Sequence, residues 1–143
     1  MSLHLAPVAS SDALELLEAV EESRADMGHI SWAPLVVDLE SAERMARALG
    51  ATGSCAVRDD GAFIGVVGLE PLESLACWVR SAEQRQGYAA DAARLLIARS
   101  SASTIMADPE QRNPCSLALL RRLGFTAHPG RVVHYLHRHR ERT

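Results

Sequence analysis

The stretch from Gln84 to Ala89 has the residue types and spacing that most clearly predict chemistry. It joins a short apolar run, which ends at Val79, to an alanine-rich segment with helical periodicity. A turn that leads into a helix presents backbone N–H groups and the positive end of the helix dipole, and both favour a phosphate or pyrophosphate. Gly87 adds no side chain that would hold an anion away from these amides, and glycine tolerates the backbone angles of such a turn. We therefore predict that this turn binds the phosphates of a cofactor.

Two other places in the chain carry polar side chains next to predicted turns or caps. Ser116 follows Asn113 and Pro114, which are typical of a helix N-cap and of the first helical position. On the residues alone, Ser116 fits as an ordinary residue of a first helical turn. Glu70 and Glu73 flank a short turn between two predicted strands, where a carboxylate acts as a general base or is simply solvated at the rim.

Three histidines near the end of the chain could suggest a metal site. They are His134, His137 and His139. Because they lie in the polar tail of the chain and no cysteine lies close to them in the sequence, we predict that the chain binds no metal.

The composition limits the class of protein. With 143 residues the chain has the length of a single domain, which we place at residues 1–143. A formal net charge of −3 argues against a general nucleic-acid binder. The apolar runs are too short to span a membrane, and Met1 to Val8 lacks the basic and apolar regions of a signal peptide.

The cysteines point to a reducing compartment. Cys55, Cys77 and Cys115 form no C-x-x-C pair, and their number is odd. This pattern predicts reduced thiols, no disulfide framework and no structural zinc. Together with the N-terminal sequence it predicts a cytoplasmic protein.

The apolar periodicity predicts elements in the order β-α-α-β-β-β-α-β-α-β-β. Asp38 is typical of a helix N-cap and Gly50 of the residue that ends the same helix. Asp59-Asp60-Gly61 predicts a tight hairpin turn, and Gly124 predicts the end of the last helix. Hairpins in the first half and helical crossovers in the second half predict an α+β fold. We expect a mixed, mostly antiparallel sheet with helices on both faces.

Two motifs in this framework resemble the GNAT N-acetyltransferase superfamily. Gln84-x-x-Gly87-x-Ala89, on a strand-turn-helix, is similar to the family's acetyl-CoA signature, which reads Gln or Arg, two residues, Gly, one residue, then Gly or Ala. The segment from Asn113 to Ser116, followed by Arg122-Leu123-Gly124-Phe125, resembles the Rim-type branch that acetylates ribosomal-protein N-termini. Trp78, and Glu22-Ser23-Arg24 leading to Trp32, point to the same branch.

The resemblance covers nearly the whole chain, from about Leu3 to Leu136, and it implies a site for acetyl-CoA. Backbone amides from Arg85 through Ala89 would hold the pyrophosphate, and the main chains of Trp78 and Val79 would pair with the pantetheine arm like an added strand. Asn113 would hydrogen-bond the arm, and Ser116 would lie near the sulfur. The residues implied in cofactor binding are Trp78, Val79, Gln84, Arg85, Gln86, Gly87, Tyr88, Ala89, Asn113 and Ser116.

The resemblance also implies direct attack of an amine on the thioester in a ternary complex. Such a reaction needs a neutral amine, a stabilised oxyanion and a proton for the leaving thiolate. Many family members supply the proton from a tyrosine, at the position that Leu120 has here, so Ser116 is the candidate acid. Glu70 is the candidate base, although an α-amine with a pKa of about 8 is partly neutral without one.

Two functions therefore stay open at this stage. The first is an N-acetyltransferase that acts on a primary amine, such as the N-terminus of a peptide or protein. The second is a non-catalytic acyl-CoA-binding or scaffold domain with the same fold, because the tyrosine is missing and the connections are short. The acceptor would be chosen by residues 28–37, where Trp32 is either a core anchor or a wall of the substrate site, and by the last hairpin. The oligomeric state is open, with a dimer among the alternatives.

Overall fold

The computed structural model of the protein describes residues 2–27, 30, 32–70, 74–84, 86–107, 117–127 and 134–137. The strands are β1 (Leu3–Pro7), β2 (Cys55–Asp59), β3 (Ala62–Glu70), β4 (Ser74–Val79), β5 (Thr104–Ala107), β6 (Thr126–Ala127) and β7 (His134–His137). The helices are α1 (Ala13–Ser23), α2 (Leu39–Ala51), α3 (Tyr88–Arg99) and α4 (Leu117–Leu123). This is the predicted order of elements. Short 3-10 turns at Ser10–Asp12, Arg24–Asp26, Ala33–Leu35 and Ser81–Glu83 are additional.

The strands form one sheet in the order β1-β2-β3-β4-β5-β7-β6. Strands β1 to β4 pair antiparallel in sequence order, and so do β5 with β7 and β6 with β7. Strand β5 joins β4 in the parallel direction, with Ser74 opposite Met106. The predicted α+β fold with a mixed, mostly antiparallel sheet is therefore confirmed.

The helices cover both faces of this sheet, and the described residues form two hydrophobic cores. One core, with α1 and α2, includes Val66 and Trp78, and we call it the α1–α2 core. The other, with α3 and α4, includes Val67 and Cys77. Successive residues of β3 and β4 belong to opposite cores because side chains alternate along a strand. No helix in the part of the chain that the structure describes is long and apolar enough to cross a membrane.

The structure confirms one of the two predicted ends of α2. Asp38 caps the helix as predicted, because its carboxylate accepts a hydrogen bond from the Ser41 amide at 2.8 Å. The prediction for Gly50 is wrong, since α2 continues to Ala51 and the left-handed residue beyond it is Gly53, with φ of 90°. Gly50 lies inside the helix, where a Cβ atom would overlap the carbonyl of Val8. Glycine there allows close packing of two backbones.

The β2–β3 hairpin also agrees with its sequence. Asp60 and Gly61 have φ of 49° and 87°, as both central residues of a type I′ turn require. At the end of α4, Gly124 has φ of 91° and confirms the predicted helix stop.

The prediction of reduced cysteines is wrong for Cys77, which is disulfide-bonded. Cys55 is a free thiol. A disulfide depends on two cysteines that are close in space with suitable geometry, and spacing along the chain does not reveal this.

Arg58 on β2 ties the sheet to the start of α1. Its guanidinium donates to both carboxylate oxygens of Glu15, at 2.7 and 2.9 Å, and to Asp12 at 2.7 Å. It also lies 5.6 Å from the centre of the Phe63 ring. The side chains of Arg58 and Asp12 are only 20% and 13% exposed, so water screens this pair weakly. Loss of the cation would leave two carboxylates facing each other.

Replacing Arg58 with methionine should therefore lower the free energy of unfolding by about 2 kcal/mol. Urea denaturation at neutral pH measures the change. The matched control is Arg44→Met, which breaks an exposed pair with Glu40 on α2 and should cost less than about 0.5 kcal/mol. If the two substitutions lowered the free energy of unfolding equally, the contacts of Arg58 would stabilise the protein no more than an exposed ion pair does.

Candidate functional site

The connection between β4 and α3 forms the first part of the site. Strand β4 ends at Val79, and the Arg80 amide still donates to the Ile64 carbonyl of β3 at 2.9 Å. The 3-10 turn at Ser81–Glu83 follows, and Gly87 directly precedes α3. We call residues 80–87 the β4–α3 turn. Arg85, one of the predicted cofactor residues, lies outside the described residues.

Gly87 has the backbone conformation that the sequence prediction needs. Its φ is 84° and its ψ is 3°, in the left-handed region, and apart from its two chain neighbours no described residue has an atom within 4 Å of the position where a Cβ would stand. The first bond of α3 runs from the Asp91 amide to the Gly87 carbonyl at 3.1 Å. The amides of Tyr88, Ala89 and Ala90 come before that bond, so the helix itself provides no acceptor for them. This open helix N-terminus suits an anion.

A cleft of about 310 Å³ opens beside this helix start. Five of its lining residues are predicted cofactor residues, namely Val79, Gln84, Gly87, Tyr88 and Ala89. The structure therefore brings the strand end and the helix start together around one space. The cleft is large enough to hold part of an extended ligand.

The other wall of the cleft was not predicted. It includes Ala118, Leu119 and Arg122 of α4, and Glu83 of the β4–α3 turn. Ala118 and Arg122 are four residues apart, so they share one face of α4. The sequence shows this spacing, and so it could have predicted that the two residues share a face. It could not have predicted that this face lies at the cleft, because that depends on how α4 packs against α3. Arg122 brings a positive charge that favours a phosphate, and Glu83 brings an opposing carboxylate.

Gln84 and Gln86 stabilise the turn through their side chains. The Gln84 amide donates to the Val79 carbonyl at 3.0 Å. The Gln86 amide donates to the carboxylate of Glu83 at 3.3 Å and to the Ala82 carbonyl at 3.5 Å. Gln84 thus contacts the strand end whose main chain was predicted to pair with a pantetheine arm. A carbonyl oxygen has two lone pairs, so Val79 can accept a second bond.

The side chain of Tyr88 fixes the start of α3 to the sheet. Its buried ring carries a hydroxyl that donates to Asp59 at the end of β2, at 2.7 Å. Asp59 also accepts from the amide of Ser2 at 2.8 Å. The bond with Asp59 raises the pKa of Tyr88 to about 12, and the Tyr88 hydroxyl lowers the pKa of Asp59. The Tyr88 main chain, rather than its hydroxyl, is therefore what this residue offers to a bound anion.

The raised pKa of Tyr88 predicts a stability change in alkali. Its hydrogen bond should contribute fully below about pH 10 and be lost as the pH rises towards 12. The chain has no lysine, so few other groups titrate in this range. Urea midpoints of the wild type should fall towards those of Tyr88→Phe between pH 10 and 12. A constant difference between the two proteins across this range would contradict the prediction.

Trp78 does not face the cleft. Its ring lies in the α1–α2 core and meets Trp32 edge to face, with 5.7 Å between centroids and 89° between planes. The side chain is buried, with 6% exposed, and its indole N–H has no hydrogen-bond partner among the described residues. Only the main chain of Trp78 is therefore available for the predicted pairing. Trp32 is a core residue, as one of its two interpretations had it.

The predicted catalytic residues are placed only in part. Glu70 ends β3 opposite Ser74, so its backbone lies at the other end of β4 from Val79. That separation is about 17 Å along a strand. The Glu70 side chain, and Asn113 and Ser116, lie outside what the structure describes. Leu120 is fully buried in the core between α4 and the sheet, at 0% exposure, and carries no group that could donate a proton.

Metal ligands do not cluster in the described ranges, since no group of three His, Cys, Asp or Glu side chains there could hold an ion. His139 and the side chains of His134 and His137 lie beyond these ranges.

Comparison with known domains gives one family. The domain described as "Acetyltransferase (GNAT) domain" matches residues 2–126. A comparison with curated protein sequences finds no match.

Several solved structures share the fold. The microcin C7 self-immunity acetyltransferase MccE, in complex with acetyl-CoA and AMP, superposes with a TM-score of 0.79 at 13% identity, over 95% of this chain and 92% of that one. The ribosomal L7/L12 α-N-protein acetyltransferase RimL, in complex with coenzyme A, gives 0.79 at 15% identity, over 96% and 95%. A ribosomal-protein-serine acetyltransferase structure from Vibrio cholerae, described as putative, gives 0.74 at 20% identity, over 96% and 94%. At these identities the likeness shows the fold.

Proposed function

The chain belongs to the GNAT acetyltransferase family, and from this premise we propose that it transfers an acetyl group from acetyl-CoA to the α-amine of a peptide or protein N-terminus. The observation that carries the proposal is the cleft at the start of α3. There the left-handed Gly87, the helix amides and the end of β4 meet around one space. This arrangement fits a pyrophosphate with an arm that continues along the strand.

The residues that would hold acetyl-CoA divide between the two ends of the cleft. Main-chain amides from Arg85 to Ala89 would bind the pyrophosphate, and Arg122 would add a charge-assisted contact. The main chains of Trp78 and Val79 would pair with the pantetheine arm, and Asn113 would bond to it farther along.

In the reaction, the neutral amine nitrogen attacks the thioester carbonyl, a C–N bond forms, and the C–S bond then breaks. We assign Ser116 as the hydroxyl that gives its proton to the leaving thiolate and regains one from solvent, so that the proton taken up by the thiolate balances the one released by the amine. We assign Glu70 as the acceptor of the proton that the amine loses, directly or through water. An α-amine with a pKa of about 8 is partly neutral at physiological pH, which lessens the demand on this base.

The choice of an N-terminal α-amine is supported by the Rim-type motif from Asn113 to Phe125 and by the fold neighbours. One neighbour from Salmonella typhimurium, with a TM-score of 0.71 at 16% identity over 96% of this chain and 95% of that one, is described as modifying the N-terminal serine of ribosomal protein L7/L12. A cytoplasmic location, and the absence of nucleic-acid and membrane partners, stay predictions from the sequence.

The test is turnover with acetyl-CoA and a panel of acceptors, followed by release of the free CoA thiol. The panel should contain peptides with a free N-terminus, the same peptides blocked at the N-terminus but carrying a lysine, and small amines. The chain contains no lysine, so its own side chains supply no primary amine and the background is low. Release with free N-termini and not with blocked peptides would support the proposal. Release only with lysine or small amines would overturn the choice of acceptor.

A second candidate is a non-catalytic acyl-CoA-binding domain, and one observation favours it. Leu120 stands where many family members have a tyrosine, and it is wholly buried. Under this alternative the protein binds CoA in calorimetry but releases no thiol with any acceptor. Under the main proposal, Ser116→Ala lowers turnover while the CoA affinity stays within about twofold of the wild type.

A further inference from the structure

Three consecutive residues at the end of α1, Glu22-Ser23-Arg24, contact two different parts of the molecule. Ser23 is the last residue of α1, and Arg24 begins the following 3-10 turn. One set of contacts reaches the β4–α3 turn. The other reaches the segment that carries Trp32, which we define as the described residues of 27–36 and call the Trp32 segment.

The contacts with the β4–α3 turn come from Glu22 and Ser23. The Ser23 hydroxyl oxygen accepts from the amide of Ser81 at 2.8 Å, and Ser23 is almost wholly buried, at 1% exposure. The Glu22 carboxylate accepts from Nε of Arg80 at 2.9 Å and also from Nη2. Arg80 donates in addition to the Phe63 carbonyl at 3.2 Å. The first residues of the turn are therefore fixed by the end of α1 and not by the strand alone.

The contact with the Trp32 segment comes from Arg24. Its guanidinium donates to the carbonyl of Val36 at 3.0 Å, where the segment ends. Between these points the ring of Trp32 packs against Trp78 of β4. The segment is thus held at its end by Arg24, just after α1, and in its middle by the strand that leads into the β4–α3 turn.

We propose that Glu22, Ser23 and Arg24 are positioning residues that couple cofactor binding at the β4–α3 turn to the position of the Trp32 segment on the acceptor side. The inference rests on the proposed function, which places acetyl-CoA at this turn, and on the expectation from the sequence that residues 28–37 help to choose the acceptor. Adjacent residues at the end of one helix share a backbone, so a shift of Ser23 with the turn moves Arg24 with it. A coupling of this kind is reciprocal, and each ligand changes the affinity for the other by the same factor.

A double-mutant cycle on Ser23→Ala and Arg24→Met tests the coupling, with CoA alone as the calorimetric ligand. Ser23→Ala removes one hydrogen bond to the turn and should weaken CoA about fivefold. Arg24→Met alters only the other side, yet it should weaken CoA about twofold to threefold. In the double variant the loss should differ from the product of the single losses by at least threefold. Arg24→Lys, which can still donate to Val36, should restore most of the affinity.

Arg44→Met, combined with Ser23→Ala, is the matched control, because Arg44 lies exposed on α2 and pairs only with its neighbour Glu40 among the described side chains. That pair of substitutions should be additive. Unfolding midpoints must show that every variant is folded at the temperature of the titration. If Ser23→Ala is not folded at that temperature, Arg80→Lys takes its place in the cycle. Where turnover is measurable, Arg24→Met should raise the KM of the acceptor more than it changes kcat.

The failures of this inference and of the proposed function differ. CoA binding with additive losses, or with an Arg24→Met affinity equal to the wild type, overturns the coupling and leaves the proposed function standing. No CoA binding by the wild type overturns both. CoA binding without turnover overturns the proposed acetyl transfer. The double-mutant cycle can still be measured in that case, and its result decides whether the β4–α3 turn and the Trp32 segment are coupled.

Discussion

Replacing Gly87 with alanine should weaken CoA binding at least tenfold. Gly87 has φ of 84°, which costs an alanine about 1 to 2 kcal/mol relative to glycine. The helix amides that follow would have to shift to relieve this strain, and the new methyl group would stand where an anion approaches them. Titration calorimetry with CoA measures the loss, and urea denaturation measures the accompanying change in stability.

Gly53→Ala is the matched control for this experiment. Gly53 has φ of 90° and, like Gly87, has nothing within 4 Å of the Cβ position, but it follows α2 and is not part of the cleft lining. The two substitutions should lower the free energy of unfolding by similar amounts, about 1 to 2 kcal/mol. Only Gly87→Ala should weaken CoA. Wild-type affinity in Gly87→Ala, or an equal loss in Gly53→Ala, would refute the assignment of the anion site.

Gly65→Ala should have the largest effect on stability, a loss of about 3 kcal/mol. A Cβ atom on Gly65 would overlap the carbonyl oxygen of Trp78 and lie 2.9 Å from Cα of Val79. These are backbone atoms in the centre of the sheet, so no side chain can rotate away, and β3 and β4 must separate. Because Val79 lines the cleft, CoA affinity should fall as well. Urea midpoints and calorimetry below the unfolding transition measure the two effects.

Gly50→Ala is the matched control, which separates a loss of CoA affinity at the cleft from a general loss of stability. Gly50 is packed as closely against the Val8 carbonyl as Gly65 is against Trp78, but it lies in α2, away from the cleft. Its substitution should cost a comparable free energy of unfolding. Its CoA affinity in the folded state should equal that of the wild type. If Gly65→Ala also keeps full affinity, the end of β4 has no part in binding CoA.

The sequence predicted the features that depend on a few neighbouring residues. The Asp38 cap, the Asp60-Gly61 turn and the stop at Gly124 each need only a local backbone conformation, which residue types report directly. The turn before Gly87 belongs to the same class. The order of elements followed because these local signals separate the helices from the strands.

Features that depend on contacts across the chain could not be predicted. Gly50 has the residue type of a helix stop. Glycine is required there for a different reason, which is the close contact with Val8, over forty positions away. The bond of Tyr88 with Asp59 and the wall that Arg122 adds to the cleft depend on how α3 and α4 pack against the sheet. The motif around Gln84 lines the cleft, and the Gln84 side chain also donates to the Val79 carbonyl and so shapes the turn.

The two cores differ in how much of the chain must exist before they can form. Every buried residue of the α1–α2 core that the structure describes lies between Val8 and Trp78, whereas the core under α3 and α4 extends from Leu5 to Phe125. During synthesis a chain that has just passed Trp78 already contains the whole first core and the hairpins β2–β3 and β3–β4. Local contacts of this kind form early. We therefore expect the first core to be a folding unit, onto which the cleft is built as α3, α4 and the last strands are made.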